Sequence, residues 1–160
     1  MPARKMPFCA GTDTPDTLAG HPVSPQAYQR NVASLKDAYA KKVPLTFSTD
    51  ADYYVVGKTR GEVCMEFLKT WKDAGIPNAD ILRAMTIGGY KVSQTESTRG
   101  PIRVGFFADL IAVPGDPLAD VDALKNMQFV MKDGVVFKKD GVMTPAAFFH
   151  GGPVNGWRIR

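Results

Sequence analysis

Few residues of this 160-residue chain combine type and placement in a way that suggests chemistry. Asp50 is the first of them. It follows an apolar run at residues 43–49 (VPLTFST) and precedes a loop and an amphipathic segment. A carboxylate at the carboxyl end of a strand in α/β architecture can reach a ligand crevice, where it can hold a cation or accept a proton from water. An aspartate at that place also serves as a turn cap, and that reading stands beside the first. The run Ala10-Gly11-Thr12-Asp13 echoes Phe47-Ser48-Thr49-Asp50, but a loop follows Asp13 and the downstream spacing differs, so Asp13 reads as a loop residue. The chain has two histidines, His21 in a proline-rich stretch and His150 in a glycine-rich tail. Cys9 and Cys64 have no neighbouring Cys or His, so they do not form a zinc site of the CxxC type. Two isolated cysteines read as reduced and buried.

The elements that would position these residues follow from punctuation and periodicity. Pro7, Gly11, Pro15, Gly20, Pro22 and Pro25 mark residues 7–25 as loop. Ser24 and Pro25 then open a helix whose apolar residues Tyr28, Val32, Leu35 and Tyr39 recur at three- and four-residue steps. Residues 43–49 read as a short strand and 52–58 as a loop. A second helix is expected over residues 59–74, with Val63, Phe67 and Trp71 on one stripe, widened by Cys64 and Leu68. Arg60 and Glu62 open that helix and read as solvated. Gly75-Ile76-Pro77 stops it. Asn78 is placed to cap the next helix, which carries Ile81, Leu82 and Met85 and weakens at Gly88-Gly89. Residues 107–113 read as a strand, 114–117 as a turn and 118–124 as one or two helical turns. Residues 127–132 and 135–138 flank Asp133-Gly134, a strong two-residue hairpin signal. Gly105 and Gly134 read as turn residues, and the tail beyond Gly141 as irregular. The strand at 43–49 stands alone between helices. Its backbone groups need a partner, so either the later strands pair with it or its sheet is missing from the chain.

Composition narrows the function classes. Apolar residues make up 44% and charged residues 22%, which excludes a disordered tail, a collagen-like repeat and a disulfide-framed miniprotein. The net charge of +4 is spread over scattered bases, with no run longer than Lys41-Lys42 or Lys138-Lys139, so the basic residues read as a solvated surface and not as a nucleic-acid interface. Residues 1–10 contain Arg4 and Lys5 but no apolar run of signal-peptide length, and no stretch approaches a membrane span. The chain therefore reads as soluble, with its compartment unassigned.

Four segments, taken together and in order, carry a resemblance. Phe47-Ser48-Thr49-Asp50-Ala51 looks like the motif of the eighth strand in metal-dependent amidohydrolases. Asp80-Ile81-Leu82-Arg83-Ala84-Met85-Thr86 lies at the family's spacing from it. The stretch from Gly100 to Ile111 with Gly115-Asp116-Pro117-Leu118, and then Val130-Met131-Lys132-Asp133-Gly134-Val135-Val136, resemble the segments that close the family's smaller domain. The match covers roughly residues 25–140 and is closest to the imidazolonepropionase-like and prolidase-like branch.

The resemblance implies an α/β fold: the last strand or strands and helices of a (β/α)8 barrel, followed by the C-terminal strands of a small β-sandwich. On that reading residues 1–24 are irregular, 25–98 are the C-terminal part of the barrel, 99–140 are sandwich strands and 141–160 are an irregular tail. Asp50 matches the family aspartate that ligates a divalent metal, zinc first among candidates, and shuttles a proton from the attacking water. Asp52, Tyr53 and Tyr54 fall where the last barrel loop faces substrate, and Asp109 falls in the sandwich as a structural residue. The substrate implied is a small amide, cyclic amide or dipeptide. The family's other metal ligands, a His-x-His pair, a bridging Lys or Glu and two later histidines, have no counterpart here, since neither His21 nor His150 matches. One carboxylate cannot hold a catalytic ion. The chain alone is therefore expected to be inactive, with the N-terminal barrel half as its missing partner and a homo-oligomer as a further possibility. The competing reading is a non-catalytic interaction module or a decayed fragment in which Asp50 is a relic.

Overall fold

The computed structural model describes residues 8–10, 25–49 and 57–146. Among them, two sheets are formed in different ways. The first is a pair of short parallel strands, β1 (Phe8–Ala10) and β2 (Leu45–Phe47), in the register Phe8↔Leu45, Cys9↔Thr46 and Ala10↔Phe47. Between them in sequence lies α1 (Pro25–Ala40), as the proline start and the apolar stripe predict. Parallel neighbours need a crossover of this kind, because a tight turn cannot return the chain in the same direction. The lone strand thus has one partner within the chain, and it is not a later strand. It is β1, three residues between Pro7 and Gly11 in the stretch that reads as loop. Pairing with so short a partner also limits β2 to three residues of the expected 43–49.

The expected helix over 59–74 forms as two closely joined pieces, α2 (Arg60–Glu66) and α3 (Leu68–Asp73). Its start is more specific than solvated charge. The Thr59 side chain accepts from the Glu62 backbone N–H, while the Glu62 carboxylate accepts from the Thr59 backbone N–H at 2.7 Å, a capping box. α4 (Asn78–Arg83) has Pro77, not Asn78, as its cap residue. The Asn78 amide instead donates to the carbonyls of Leu118 and Ala119 at 3.1 and 2.9 Å. The helical path continues through a π-helical turn (Ala84–Gly88) into α5 (Gly89–Val92), so the paired glycines do not end it. Gly88 marks where β2 crosses this helix. A Cβ there would lie 3.2 Å from both the Leu45 carbonyl oxygen and Thr46 Oγ1. The Thr46 hydroxyl, buried at this crossing, donates to the Ala84 carbonyl at 3.2 Å.

The main core gathers Leu35 of α1, Leu68 and Trp71 of α3, Ile76, Ile81 and Ala84, all buried. Val121 and Leu124 close it from a 3-10 helix (Val121–Asn126) that starts and ends later than the helical turns expected over 118–124. Each such aliphatic or aromatic side chain contributes about 1.5–3 kcal/mol when fully buried. Lys72 pairs with Asp122 across the same junction. Together Lys125 and Lys72 hold the Asp122 carboxyl below its ordinary range.

The second sheet is an antiparallel meander of β3 (Leu110–Ala112), β4 (Phe129–Lys132), β5 (Val135–Lys139) and β6 (Val142–Met143). Its central hairpin turns at Asp133-Gly134 with φ of 52° and 78°, the two successive left-handed residues that a twisted two-residue hairpin requires. β6 lies in the tail that reads as irregular. β3 is shorter than the strand expected over 107–113. None of this sheet's strand residues is fully buried, and Ile111, Val142 and Met143 are exposed.

A charged knot joins the helices to this sheet. Arg99 pairs with both Asp109 and Asp133, and its guanidinium lies 4.2 Å from the centre of the Phe107 ring. Asp109 also accepts from the Asp133 backbone N–H at 2.9 Å and from the Tyr90 hydroxyl at 3.3 Å. Burial pushes the Asp109 carboxyl up, but the Asp133 N–H and Arg99 outweigh it and hold the group below its ordinary range.

Candidate functional site

The candidate site begins where β2 ends. Phe47 packs against Val63 of α2 and against Phe67, and its ring centre lies 5.6 Å from that of Trp71. This apolar contact fixes the strand end on the helix. Two residues further on, Thr49 Oγ1 lies 3.4 Å from Cys64 Sγ, a hydrogen bond in which either atom can donate. Cys64 is half-buried and has no disulfide partner among the described residues. Lys58, just before the capping box, forms an ion pair with Glu66 at the far end of α2. The Thr59 backbone N–H and hydroxyl hold the Glu62 carboxyl below its ordinary range.

Asp50, Asp52, Tyr53 and Tyr54 lie outside the described residues, as do Asp13, His21, Ser24 and His150. What the structure supplies is the frame on either side of them: the end of β2 with Thr49, and Lys58 with the capped start of α2. Sequence reasoning missed this frame, although Thr59 followed three residues later by Glu62 is a capping-box signature. Among the described residues no group of three or more His, Cys, Asp and Glu side chains could hold a metal ion. A complete metal donor set is therefore not formed by the described residues alone.

A cavity of 380 Å³ lies at the other end of β2, walled by Val43, Leu45, Trp71 and Ile76. Three of its polar lining residues bond one another. The Tyr39 hydroxyl donates to Asp80 at 2.6 Å and Arg83 donates to the same carboxylate at 2.7 Å. These hydrogen bonds hold the Asp80 carboxyl below its ordinary range and raise the Tyr39 hydroxyl above its own. The opposite end of β2 leads, through Thr49, to Asp50, the residue that the sequence singles out.

Residues 13–137, more than half of the chain, match the family model described as the amidohydrolase family. The chain belongs to that family. Among solved structures it is similar to a Xaa-Pro dipeptidase with methionine bound in its active site, at 29% identity and a TM-score of 0.61 over 71% of this chain and 28% of that one. A prolidase complexed with N-methylphosphonate-L-proline aligns at 23% identity and a TM-score of 0.62, over 82% of this chain and 34% of that one. Ochratoxinase from A. niger aligns at 22% identity and a TM-score of 0.56, over 73% and 27%. No curated protein matches the sequence. These amidohydrolase relatives imply a TIM-barrel-type fold, of which the chain spans about a third of their length. No helix among the described residues is long and apolar enough to cross a membrane.

Proposed function

We propose that this amidohydrolase chain is the C-terminal portion of a metal-dependent hydrolase of carbon–nitrogen bonds, acting on a small amide, cyclic amide or dipeptide. The observation that carries the reading is the family match over residues 13–137. The β1–α1–β2 unit supports it, because a parallel pair joined through a helix is the repeating unit of a (β/α)8 barrel. On this reading residues 25–98 belong to the barrel, 99–140 to a β-sandwich, and β1 joins the barrel portion from within the first 24 residues. The likeness to a Xaa-Pro dipeptidase favours dipeptides among the substrates.

Asp50 then stands at the carboxyl end of the last barrel strand as a metal ligand and proton acceptor. A carboxylate is a hard oxygen donor suited to a divalent ion, zinc first among candidates. When bound, such an ion supplies a water whose pKa falls to about 7. The carboxylate of Asp50 holds and moves that proton, and Asp52, Tyr53 and Tyr54 face the substrate. The other ligands come from barrel strands outside these 160 residues, so the chain alone is inactive and its partner is the remaining barrel half, with self-association as a further possibility.

Complementation tests this. The preceding barrel strands are supplied by fusion or in trans, zinc is added, and amides, cyclic amides and dipeptides are assayed. Activity should appear only in the complemented protein, and Asp50→Asn should lower kcat by at least about 100-fold, the lower end of what a positioned proton acceptor contributes. Full activity in Asp50→Asn would remove the role given to that residue. Chelator-sensitive hydrolysis by the 160-residue chain unaided would overturn the fragment reading.

A further inference from the structure

We propose that the 380 Å³ cavity beside the start of β2 is a binding site for a small carboxylate with an apolar body. The proposal does not depend on the function proposed above. Small-molecule sites run from roughly 300 to 1,000 Å³, and they are mostly apolar with a few polar groups. Val43, Leu45 and Ile76 supply apolar wall here. Three further lining residues, Ala84, Ile87 and Gly88, come from the π-helical turn. Such turns are rare and recur at functional sites.

The polar groups of the lining select the ligand. The Asp80 carboxylate is already engaged, since it accepts from Tyr39 and from Arg83. Arg83 commits only Nη1 to that pair, and Lys91, at the end of α5, has no ion pair among the described residues. The lining therefore carries two cations against one carboxylate, and one positive charge is left over. Trp71 adds an uncharged donor. Its ring lines the cavity, and its Nε1–H is buried with no hydrogen-bond partner. A buried donor left unpaired costs free energy that an acceptor recovers. What the lining lacks is thus an acceptor bearing negative charge. A carboxylate supplies it, and the Arg83 guanidinium matches its planar shape. An ammonium group on the same apolar body would meet the surplus positive charge instead. Arg83 and Lys91 are both exposed, so water screens each of them and the selectivity for charge is moderate.

The test uses the 160-residue chain labelled with nitrogen-15. Its two tryptophans, Trp71 and Trp157, give two indole N–H resonances, and Trp157→Phe assigns them. The chain is titrated with phenylpropanoate, phenylpropanol and phenylpropylamine, three probes of one shape and different charge. Phenylpropanoate should move the Trp71 indole proton downfield along a saturable curve. It should bind about three- to tenfold more tightly than phenylpropanol, as two screened cations allow, and phenylpropylamine should bind most weakly. Lys91→Glu should remove the preference for the acid over the alcohol and leave binding of the alcohol unchanged. Ile87→Glu, at another exposed lining position, should do the same, and it decides if Lys91→Glu does not fold. Equal affinity for the acid and the amine overturns the proposal, as does a Trp71 resonance that no probe moves. A preference for the acid that survives both substitutions also overturns it. So does loss of binding when the preceding barrel strands are supplied, because the cavity would then be their seat and not a ligand site.

Discussion

Gly88 and Gly89 are neighbours in a helical stretch, and replacing each with alanine should shift stability in opposite directions. Both have helical backbone angles, φ −59° and ψ −47° at Gly88 and φ −60° and ψ −44° at Gly89, so neither needs glycine for its conformation. On helix propensity alone each change stabilises by roughly 0.8–1 kcal/mol. At Gly89 nothing lies within 4 Å of the added Cβ, so that gain should be realised. At Gly88 the methyl would meet the Leu45 carbonyl oxygen and Thr46 Oγ1 at 3.2 Å and the Arg83 carbonyl oxygen at 3.3 Å. Ordinary carbon contacts lie at about 3.5–4.0 Å. Two of the three obstacles are backbone atoms, one in a paired strand and one in a helix, so relief requires moving β2 away from the helix. Overpacking of that kind costs about 1–3 kcal/mol. The net expectation is a loss of about 1 kcal/mol for Gly88→Ala against a gain of just under about 1 kcal/mol for Gly89→Ala. The propensity term is common to both, so their difference isolates the contact. Urea titrations at a protein concentration below any self-association should show the midpoint falling for the first variant and rising for the second at unchanged slope. If both midpoints rise equally, the close crossing of β2 over this helix is not present and the reasoning fails.

Leu35→Ala, at a fully buried core position between α1 and α3, should cost about 2–5 kcal/mol in the same titration. Gly134→Ala places a side chain at φ 78° and should cost roughly 1–2 kcal/mol, with exchange rising first in β4 and β5. Asp73, Asp80 and Asp109 all have carboxyls held below their ordinary range in the folded chain. Such groups contribute stability that is fully present above the unfolded value, about 3.9, and is lost as pH falls through the folded value. The urea midpoint should therefore fall on acidification below about pH 4, and Asp80→Asn should flatten part of that fall. A midpoint that rises on acidification would contradict these assignments.

The elements legible in the sequence are those defined by nearby residues. Pro25 with the stripe Tyr28, Val32, Leu35 and Tyr39 announces α1, and Asp133-Gly134 announces the hairpin, because helical and hairpin signals act over a few residues. β1 was illegible for the opposite reason. Phe8, Cys9 and Ala10 have no period to detect, and they become a strand only through pairing with Leu45–Phe47. Asn78 shows how residue type misleads when a competing contact exists, since its amide serves the Leu118 and Ala119 carbonyls. The π-helical turn leaves no trace in a pattern that also fits an ordinary helix. At the candidate site, the placement of Asp50 after an apolar strand could be read from sequence, but the attachments of Thr49 to Cys64 and Lys58 to Glu66 could not, because each joins residues with no shared motif. The Arg99 knot was hidden likewise, as its partners Asp109 and Asp133 come from separate stretches of chain.

The parallel pairing of β1 with β2 has a kinetic consequence. To bring Phe8–Ala10 beside Leu45–Phe47 the chain must close a long loop and place α1 across it, and that entropy is lost before any strand contact compensates. The β4–β5 hairpin, by contrast, joins neighbours in sequence, and such hairpins form in roughly 1–10 μs. The meander and the local helices should therefore assemble early, with β1 docking last. A substitution that weakens β1 should then leave the refolding rate nearly unchanged and mainly accelerate unfolding. The strand that leads towards Asp50 would thus acquire its neighbour only in the final step of folding.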